Sequence, residues 1–560
     1  PRISDRELKH GLSVSRNATE QPSELPMTPV MKRMLRTFGD IPEDGRLETG
    51  SPITKAEKWL FDTEKLLLLE QCGHQSETYN VNLPLTDIQH YFTDCWLNLD
   101  IDKFRDIGEG QVEEVNSVIN DYGKPTKAIR LKRLMDEDPV FNKAVEVVAE
   151  SIPQVSATRK IVEINLPFMT KHTNVGFVPG YEGFGNDRTQ APGTNKTYGQ
   201  LTMDIAETLK EHPELLWKYN ITTEFARYQR RKGRLINATA RIINLVLNQL
   251  ESIEIQNYKV KSPLFAGYND DEFLKRVLQE MTSFCERRGY VLYNIDYHRY
   301  DLHVVRELVE LIGAISMYRC VDERSKKLAL YRACLMTKTW LVAGTLDQLV
   351  ELLGRIFSGF IDTNRSGGLI NATSMLYLVM KQDDHYVRDI VAQVLYYMLV
   401  MGDDNLVIVN PARFSLSRLQ DDAKKLGHEI DDLTKIAFGP KFLQFRLFRL
   451  NGKLVMAYPW TRVLRSMLFK ERSKGLGPCG WTLAFYQQLA KLIETPEFLA
   501  PVANIVAWFD EQHLMLDKSV EDIIKGAEEE DREAIAAGKR TETTARTLYD
   551  GDPSKARQFE

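Results

Sequence analysis

The sequence predicts an α+β protein, mainly helical, built from several domain-sized units. Three observations predict it. First, the chain has 560 residues, 43% of them hydrophobic and 27% charged, which at roughly 150 residues per domain gives about three or four units, each able to bury a core. Second, apolar residues recur at helical spacing through much of its length, as over Lys58 to Leu69. Third, only a few short β-prone runs interrupt that pattern, namely Val291 to Ile295, Tyr396 to Met401 and Leu406 to Val409. The 73 basic and 78 acidic side chains give a net charge of −5, which excludes a uniformly basic coat and leaves room for a local basic channel. Six cysteines lie far apart with no CxxC pair, so neither a zinc knuckle nor a dithiol redox motif is expected. No apolar run reaches the roughly 18 residues of a membrane span, and Pro1 to Glu7 is not a secretory leader.

Taken in order, residues 1–50 are polar and interrupted by Pro22, Pro26, Pro29 and Pro42, and read as an extended arm. Amphipathic helices are expected from Ile53 to about Ile161. Residues 172–199 carry six glycines and two prolines, which marks a long loop. Helical periodicity returns from about 200 to 290. The run Val291 to Ile295 is a strand ending at Asp296, followed by a helix carrying Leu302, Val305, Leu308, Ile312 and Ile315. Two β-prone runs flank Gly402-Asp403-Asp404-Asn405, the residue types of a tight hairpin turn. Helices are expected again over Thr482 to Ile493 and Pro496 to Phe509. Beyond about Leu516 a charged tail carries the acidic block Glu528, Glu529, Glu530, Asp531 and Glu533 and reads as a solvated extension.

Several of these segments carry chemistry. A hairpin turn that pushes Asp403 and Asp404 out between apolar strands places two carboxylates where uncompensated burial is costly, so a cation is expected there; a solvated turn is the plainer reading. Asp296 at a strand end and Asp301 five residues on can supply a further carboxylate from a second element, as a two-metal phosphoryl-transfer site needs. From Arg227 to Arg241 the chain has Arg227, Arg230, Arg231, Lys232, Arg234 and Arg241 and no acidic residue, an anion-binding stretch unless it is simply a solvated helix face. Ser358-Gly359 through Thr363 and Asn364 form a small-residue loop feeding an apolar helix. Leu416, Leu419, Ala423 and Leu426 make a helical stripe that sets Lys424 and Lys425 just before Gly427, a C-terminal cap.

In this order the motifs resemble those of viral RNA-dependent RNA polymerases, whose right-hand fold has fingers, palm with an antiparallel sheet, and thumb. Lys232-Gly233-Arg234 looks like the basic fingers motif. Asp296 with Asp301 is similar to the first palm motif, Ser358-Gly359 with Thr363 to the second, and Gly402-Asp403-Asp404 to the third. Lys424 stands where the general-acid lysine is expected, and Phe442-Leu443-Gln444 resembles the primer-grip hairpin. The loop from Thr173 to Phe177 resembles a motif where the template strand enters.

One departure is Gly367, where the family often has Asn; ribose recognition then falls to Asp301 and Thr363, with Asn364 or Asn371 as the missing partner. The resemblance implies Asp296, Asp403 and Asp404 as ligands of two Mg²⁺ or Mn²⁺ ions, with Lys424 as catalytic acid. It implies Arg230, Lys232, Arg234, Asp301, Ser358, Gly359, Thr363 and Asn364 at the nucleotide, and Arg227, Arg231, Arg241, Thr173 and Gly176 at RNA.

The same resemblance implies an arm (1–50), fingers (51–290), palm (291–450, with a fingers insertion at about 318–357), thumb (451–516) and tail (517–560). Its partners would be a single-stranded RNA template, a double-stranded RNA product, NTPs and a viral capsid protein, with no membrane. The compact layout looks most like polymerases of small double-stranded RNA viruses of the picobirnavirus or partitivirus kind, acting inside the virion and in the host cytoplasm. A reverse transcriptase and a non-catalytic, capsid-associated RNA-binding protein are the alternatives.

Overall fold

The computed structural model describes residues 27–39, 117, 120–121, 124, 129–161, 175–176, 178, 190–229, 232–343, 348–357, 359–431, 434–435, 441–458, 463, 477–492, 495, 499, 514–515 and 517–537. The chain divides into two compact units, one of residues 1–69, 116–225 and 236–443 and the other of 70–115, 226–235 and 444–560. Among the described residues the α-helices are α1 (Met27–Gly39), α2 (Leu131–Glu137), α3 (Pro139–Glu150), α4 (Tyr198–Leu209), α5 (Arg241–Lys261), α6 (Asp271–Arg288), α7 (Tyr300–His303), α8 (Arg306–Arg319), α9 (Glu323–Thr337), α10 (Thr363–Gln382), α11 (Leu416–Lys425), α12 (Pro478–Leu489) and α13 (Val520–Ala536). The strands are β1 (Ile221–Gln229), β2 (Lys232–Ala238), β3 (Val291–Asn294), β4 (Lys338–Ala343), β5 (Gln348–Leu353), β6 (Met398–Met401), β7 (Asp404–Val409), β8 (Thr434–Lys435), β9 (Lys441–Phe442), β10 (Phe445–Leu450) and β11 (Lys453–Ala457).

The first unit is centred on the antiparallel sheet β6-β7-β3-β8, with Met398↔Val407 and Tyr293↔Val407 in register. Leu406, Val407, Ile408 and Val409 are all buried, so this strand reads as a continuous apolar run because both of its faces are covered. One cover is α10, which packs on β6 and β7 and is buried from Arg365 through Met380, as a helix with protein on all sides must be. Behind it lies α3, started by Asp138, whose carboxylate accepts the Val140 and Phe141 N–H groups while Pro139 takes the first helical position. Phe141 then meets Tyr377 of α10 edge-on at 5.4 Å between ring centroids.

The structure corrects three expectations. The arm of residues 1–50 is not extended throughout, because Met27–Gly39 is a helix. Pro29 sits in its first turn, where a missing N–H costs nothing, and Phe38 packs over Gly313, where a Cβ would stand 2.8 Å from the ring. The stretch 200–290 is not all helix either. It contains β1 and β2, and β1 runs parallel to β4 with Ile221↔Trp340, a partner more than a hundred residues away that no local periodicity can announce. Residues 338–353 supply the antiparallel pair β4 and β5. The expected helix over Lys58 to Leu69 lies outside the described residues.

The third correction concerns the tail. In the second unit, β10 and β11 close on Asn451 (φ 49°) and Gly452 (φ 80°), the positive-φ pair of a two-residue hairpin. Residues 520–536 are the helix α13, packed on α12 through Val520, Ile523 and Ala527 against Cys479 and Leu483. Glu530 accepts hydrogen bonds from Cys479 N–H (2.8 Å) and Gly480 N–H (2.9 Å), so it caps the start of α12 from another element. The apolar residues at 520, 523 and 527 fall on one helix face between the acids, which composition alone hides. No helix among the described residues is long and apolar enough to cross a membrane.

Candidate active site

Strands β6 and β7 pair through Met401↔Asp404, so the turn between them is only Gly402 and Asp403. Gly402 has φ 58°, a conformation that favours glycine at the first position of such a turn. The turn is approached by α10, where a Cβ on Gly367 would lie 3.6 Å from Gly402 Cα and one on Gly368 3.6 Å from Gly402 N. Glycine at 367, where the resemblance leads one to expect Asn, therefore stands where helix and turn come together. Asn364, one turn earlier, places its Oδ1 beside Gly402, 3.0 Å from where a Cβ would be.

Asp403 is exposed at the tip, and Asp296 and Asp301 are exposed at the end of β3 and the start of α7. The protein mass around the turn desolvates the Asp403 carboxyl and raises its pKa, and the like charges of Asp404, Asp301 and Asp296 raise it further. Asp404 is also raised by burial, opposed by hydrogen bonds from Asn294 and the Leu443 N–H and by the charge of Lys441. Those bonds run from Asn294 Nδ2 to Oδ1 (3.0 Å) and from Leu443 N to Oδ2 (2.9 Å). Leu443 has φ 51° and Gln444 φ 71°, left-handed backbone at two non-glycine residues, which costs roughly 1–2 kcal/mol each. Phe442-Leu443-Gln444 is thus a strained turn whose N–H meets Asp404.

Beneath the turn lies a buried polar latch absent from the expectations. Asn371 donates to Gly402 O (3.1 Å) and Asp404 O (3.1 Å) and accepts from Tyr297 Oη (3.1 Å) and Asn405 Nδ2 (3.2 Å). Asn405 in turn accepts from Ile295 N–H (3.0 Å) and donates to Ile295 O (2.8 Å), tying β7 to the segment that carries Asp296. Asn371 is therefore fully used by the protein, with neither donor left for a ligand. The sequence held a partial signal, since the amide at 371 stands among Leu369, Ile370 and Ala372, whereas Asn405 reads as one more turn residue after Asp404. Asn371→Ala orphans two carbonyls and a phenol and should cost about 2–4 kcal/mol, read as a lower urea midpoint at unchanged m. His428, stacked on Tyr300 (5.7 Å) and paired with Ser374 (2.9 Å), has its pKa lowered to about 3 by burial and stays neutral.

The loop before α10 is held against the residues that follow β2. A Cβ on Gly359 would lie 3.1 Å from Thr239 N and still nearer Asn237 O, and one on Gly176 (φ 73°) would lie 2.9 Å from Ala240 Cα. Arg241 N–H donates to Val175 O (2.9 Å). Gly176, Gly359 and Arg241 are thereby brought to one place. Thr363 Oγ1 donates to Phe357 O, and Ser358 and Thr173 lie outside the described residues.

Of the basic run, Arg227 falls on β1 and Lys232 and Arg234 on β2, a hairpin and not the helix face weighed above; Arg230 and Arg231 lie outside the described residues. Helix α11 ends as expected. Gly427 has φ 84°, and its N–H and that of His428 close onto Lys424 O and Ala423 O at 3.1 Å. Lys425 pairs with Asp422 at 2.7 Å, whereas Lys424 is 65% exposed with Asp421 at 4.0 Å, and these contacts do not join it to the carboxylates.

Among the described residues no three metal-ligating side chains are gathered into a closed metal cage. The donor set nevertheless fits Mg²⁺ or Mn²⁺, which take one or two carboxylates and complete their shell with water and phosphate oxygens. Its mutual repulsion at Asp403 is what a cation would relieve.

No protein-family model matches the chain, and no curated protein matches it. Among solved structures it is similar to the RNA-dependent RNA polymerase of a human picobirnavirus, at 12% identity over 89% of this chain and 96% of that one, with a TM-score of 0.58. An insertion-loop deletion mutant of a human picobirnavirus polymerase matches at 12% identity over 88% of this chain and 98% of that one, with a TM-score of 0.55. The likeness shows that the chain has the right-hand polymerase fold.

Proposed function

We propose that the protein is an RNA-directed RNA polymerase that adds nucleotides to a growing strand under the direction of an RNA template. The observation that carries the reading is Asp403 at a two-residue turn, within the field of Asp296, Asp301 and Asp404, on a right-hand polymerase fold. Asp296 and Asp403 would hold two divalent ions, with Asp404 assisting while its own oxygens are steadied by Asn294 and Leu443. Such ions, when bound, lower the pKa of the attacking 3′-hydroxyl and neutralise the departing pyrophosphate.

The chain's own groups do the positioning, which is most of phosphoryl-transfer catalysis. Lys232 and Arg234 would grip the triphosphate, Asp301 with Thr363 and Asn364 would face the ribose, and Gly176, Gly359 and Arg241 would line the template's path. Residues 51–290 would then act as fingers, 291–450 as palm with a fingers insertion at about 318–357, and 451–516 as thumb, on whose helix α12 the tail helix α13 packs. On the resemblance of its motifs, the polymerase would serve a small virus with a double-stranded RNA genome, with a capsid protein as partner and work in the virion interior and host cytoplasm.

The test is primer extension by purified protein on a single-stranded RNA template with labelled NTPs and Mg²⁺ or Mn²⁺. Synthesis that stops with EDTA is expected; no synthesis under any metal would overturn the reading, and preference for dNTPs would favour a reverse transcriptase. A second expectation concerns Lys424, whose ammonium is the less tethered of the pair. Lys424→Leu should lower kcat about a hundredfold and flatten its pH dependence if it protonates the leaving pyrophosphate, with Lys425→Leu doing much less. Equal losses at both would leave only a general electrostatic role.

A further inference from the structure

The loop 359–363 is gripped from below by groups that no substrate could touch. Asn244 of α5 donates from Nδ2 to Gly359 O (3.1 Å) and accepts at Oδ1 from Ile361 N–H (3.1 Å), spanning the loop's first half. Its second half ends in Asp362, which is 2% exposed and accepts from Ser366 Oγ (2.6 Å) and Arg365 (3.3 Å), with Arg332 at 3.5 Å. Both arginines are also held by α5. Arg332 pairs with Glu251 (2.7 Å) and Glu254 (2.9 Å), and Arg365 with the same two acids (3.0 and 2.9 Å). Asn244, Glu251 and Glu254 lie seven and three residues apart, on one side of α5.

Stability alone does not account for such a cluster, since buried ion groups are often replaceable by apolar residues without loss. Nor is it balanced, because three carboxylates face two guanidiniums and Asp362 Oδ1 is buried without a hydrogen-bond partner. What it does is fix Gly359 at one end of the loop and, at the other, Thr363 and Asn364, the latter beside Gly402.

We propose that Asn244 and the Arg332–Arg365–Glu251–Glu254–Asp362 cluster are positioning residues that set the 359–363 loop against the catalytic turn. This rests on the polymerase reading above. Burial pushes the Glu251 carboxyl up to about 7, opposed by Arg365 and Arg332 and reinforced by Asp362 and Glu254. Tyr258, Tyr268 and Cys320, which also face the cluster, are raised by burial and remain neutral. A proton on Glu251 balances the cluster below about 7; its loss as pH rises leaves one unpaired buried charge and a looser loop.

The experiment compares wild type with Asn244→Ala, Asn244→Asp and Glu251→Gln by steady-state primer extension, thermal melting and backbone hydrogen exchange. Asn244→Ala should lower kcat per folded molecule about tenfold or more while NTP KM changes less than about threefold, as misplacement without lost contact does. It should also speed exchange at Ile361. Asn244→Asp keeps the acceptor for Ile361 N–H and should fall between, which guards against a variant that fails to fold. Wild-type kcat is expected to decline above about pH 7, and Glu251→Gln should remove that decline. Wild-type kcat, pH profile and Ile361 exchange in folded variants, with only the melting temperature moved, would overturn the proposal. A wild type that exchanges as expected but never extends a primer would overturn the polymerase reading instead.

Discussion

Asp403→Ala is expected to abolish nucleotide addition while the protein stays folded. The carboxylate sits at the second position of a two-residue turn, exposed, and the β6–β7 register is kept by main-chain pairing and by Asn371 below. Removing it takes one like charge from beside Asp404, Asp301 and Asp296, so stability should hold or rise slightly. The rate should fall by several kcal/mol of barrier, about a thousandfold or more, because a metal ligand and the ion it places are lost. Asp404→Ala should behave differently, since it strands the Leu443 N–H and removes one of the two acceptors of the Asn294 amide, which keeps Asn405 O, and adds about 1–3 kcal/mol of destabilisation. The pH dependence has a definite sign. A carboxyl whose pKa is raised in the fold keeps its proton to higher pH than usual, so protons compete with the cation and metal affinity should climb as pH rises above the ordinary carboxylate range. Mn²⁺ should raise the melting temperature of wild type more at neutral than at acid pH, and not that of Asp403→Ala. Near wild-type extension by the folded variant would refute the assignment of Asp403 to the metal.

How far the sequence could be read follows from how local each determinant is. The strand ending at Asp296, the hairpin around Asp403, and the helix ended by Gly427 are each specified within about ten residues, by alternation, turn chemistry or a cap, and the structure has all three where the sequence points. The basic hairpin was missed because Ile221 and its neighbours become a strand through β4, residues 338–343, and a partner so distant leaves no mark on local periodicity. The latch was half visible, since Asn371 is conspicuous among apolar neighbours, but only the fold shows that its donors go to Gly402 and Asp404 and leave none for a ribose. The ion cluster was invisible for the same reason. Glu251, Arg332 and Arg365 look like surface residues until three elements fold over them.

Deleting residues 517–560 is expected to unfold the second unit. Helix α13 buries Val520, Ile523 and Ala527 against Cys479 and Leu483, at about 1.5–3 kcal/mol for each large side chain fully buried. The Glu530 carboxylate adds charge-assisted bonds to two N–H groups at the start of α12, which would otherwise be left without an acceptor. Together these amount to something on the order of 5 kcal/mol, comparable to the whole stability of a modest domain. Single changes divide the effect. Ile523→Ala should cost about 2–5 kcal/mol and should do so equally at low and high salt. Glu530→Gln should cost about 1–2 kcal/mol, because its amide nitrogen turns a donor toward a donor. The exposed acids Glu528, Glu529 and Glu533 give the opposite test. If the acidic block competes with RNA for a basic channel, changing these three to Gln should leave the melting temperature unchanged and tighten RNA binding, most at low ionic strength. Unchanged RNA affinity, alongside a collapse of folding in Ile523→Ala, would make α13 a structural element of the second unit whose charge is incidental.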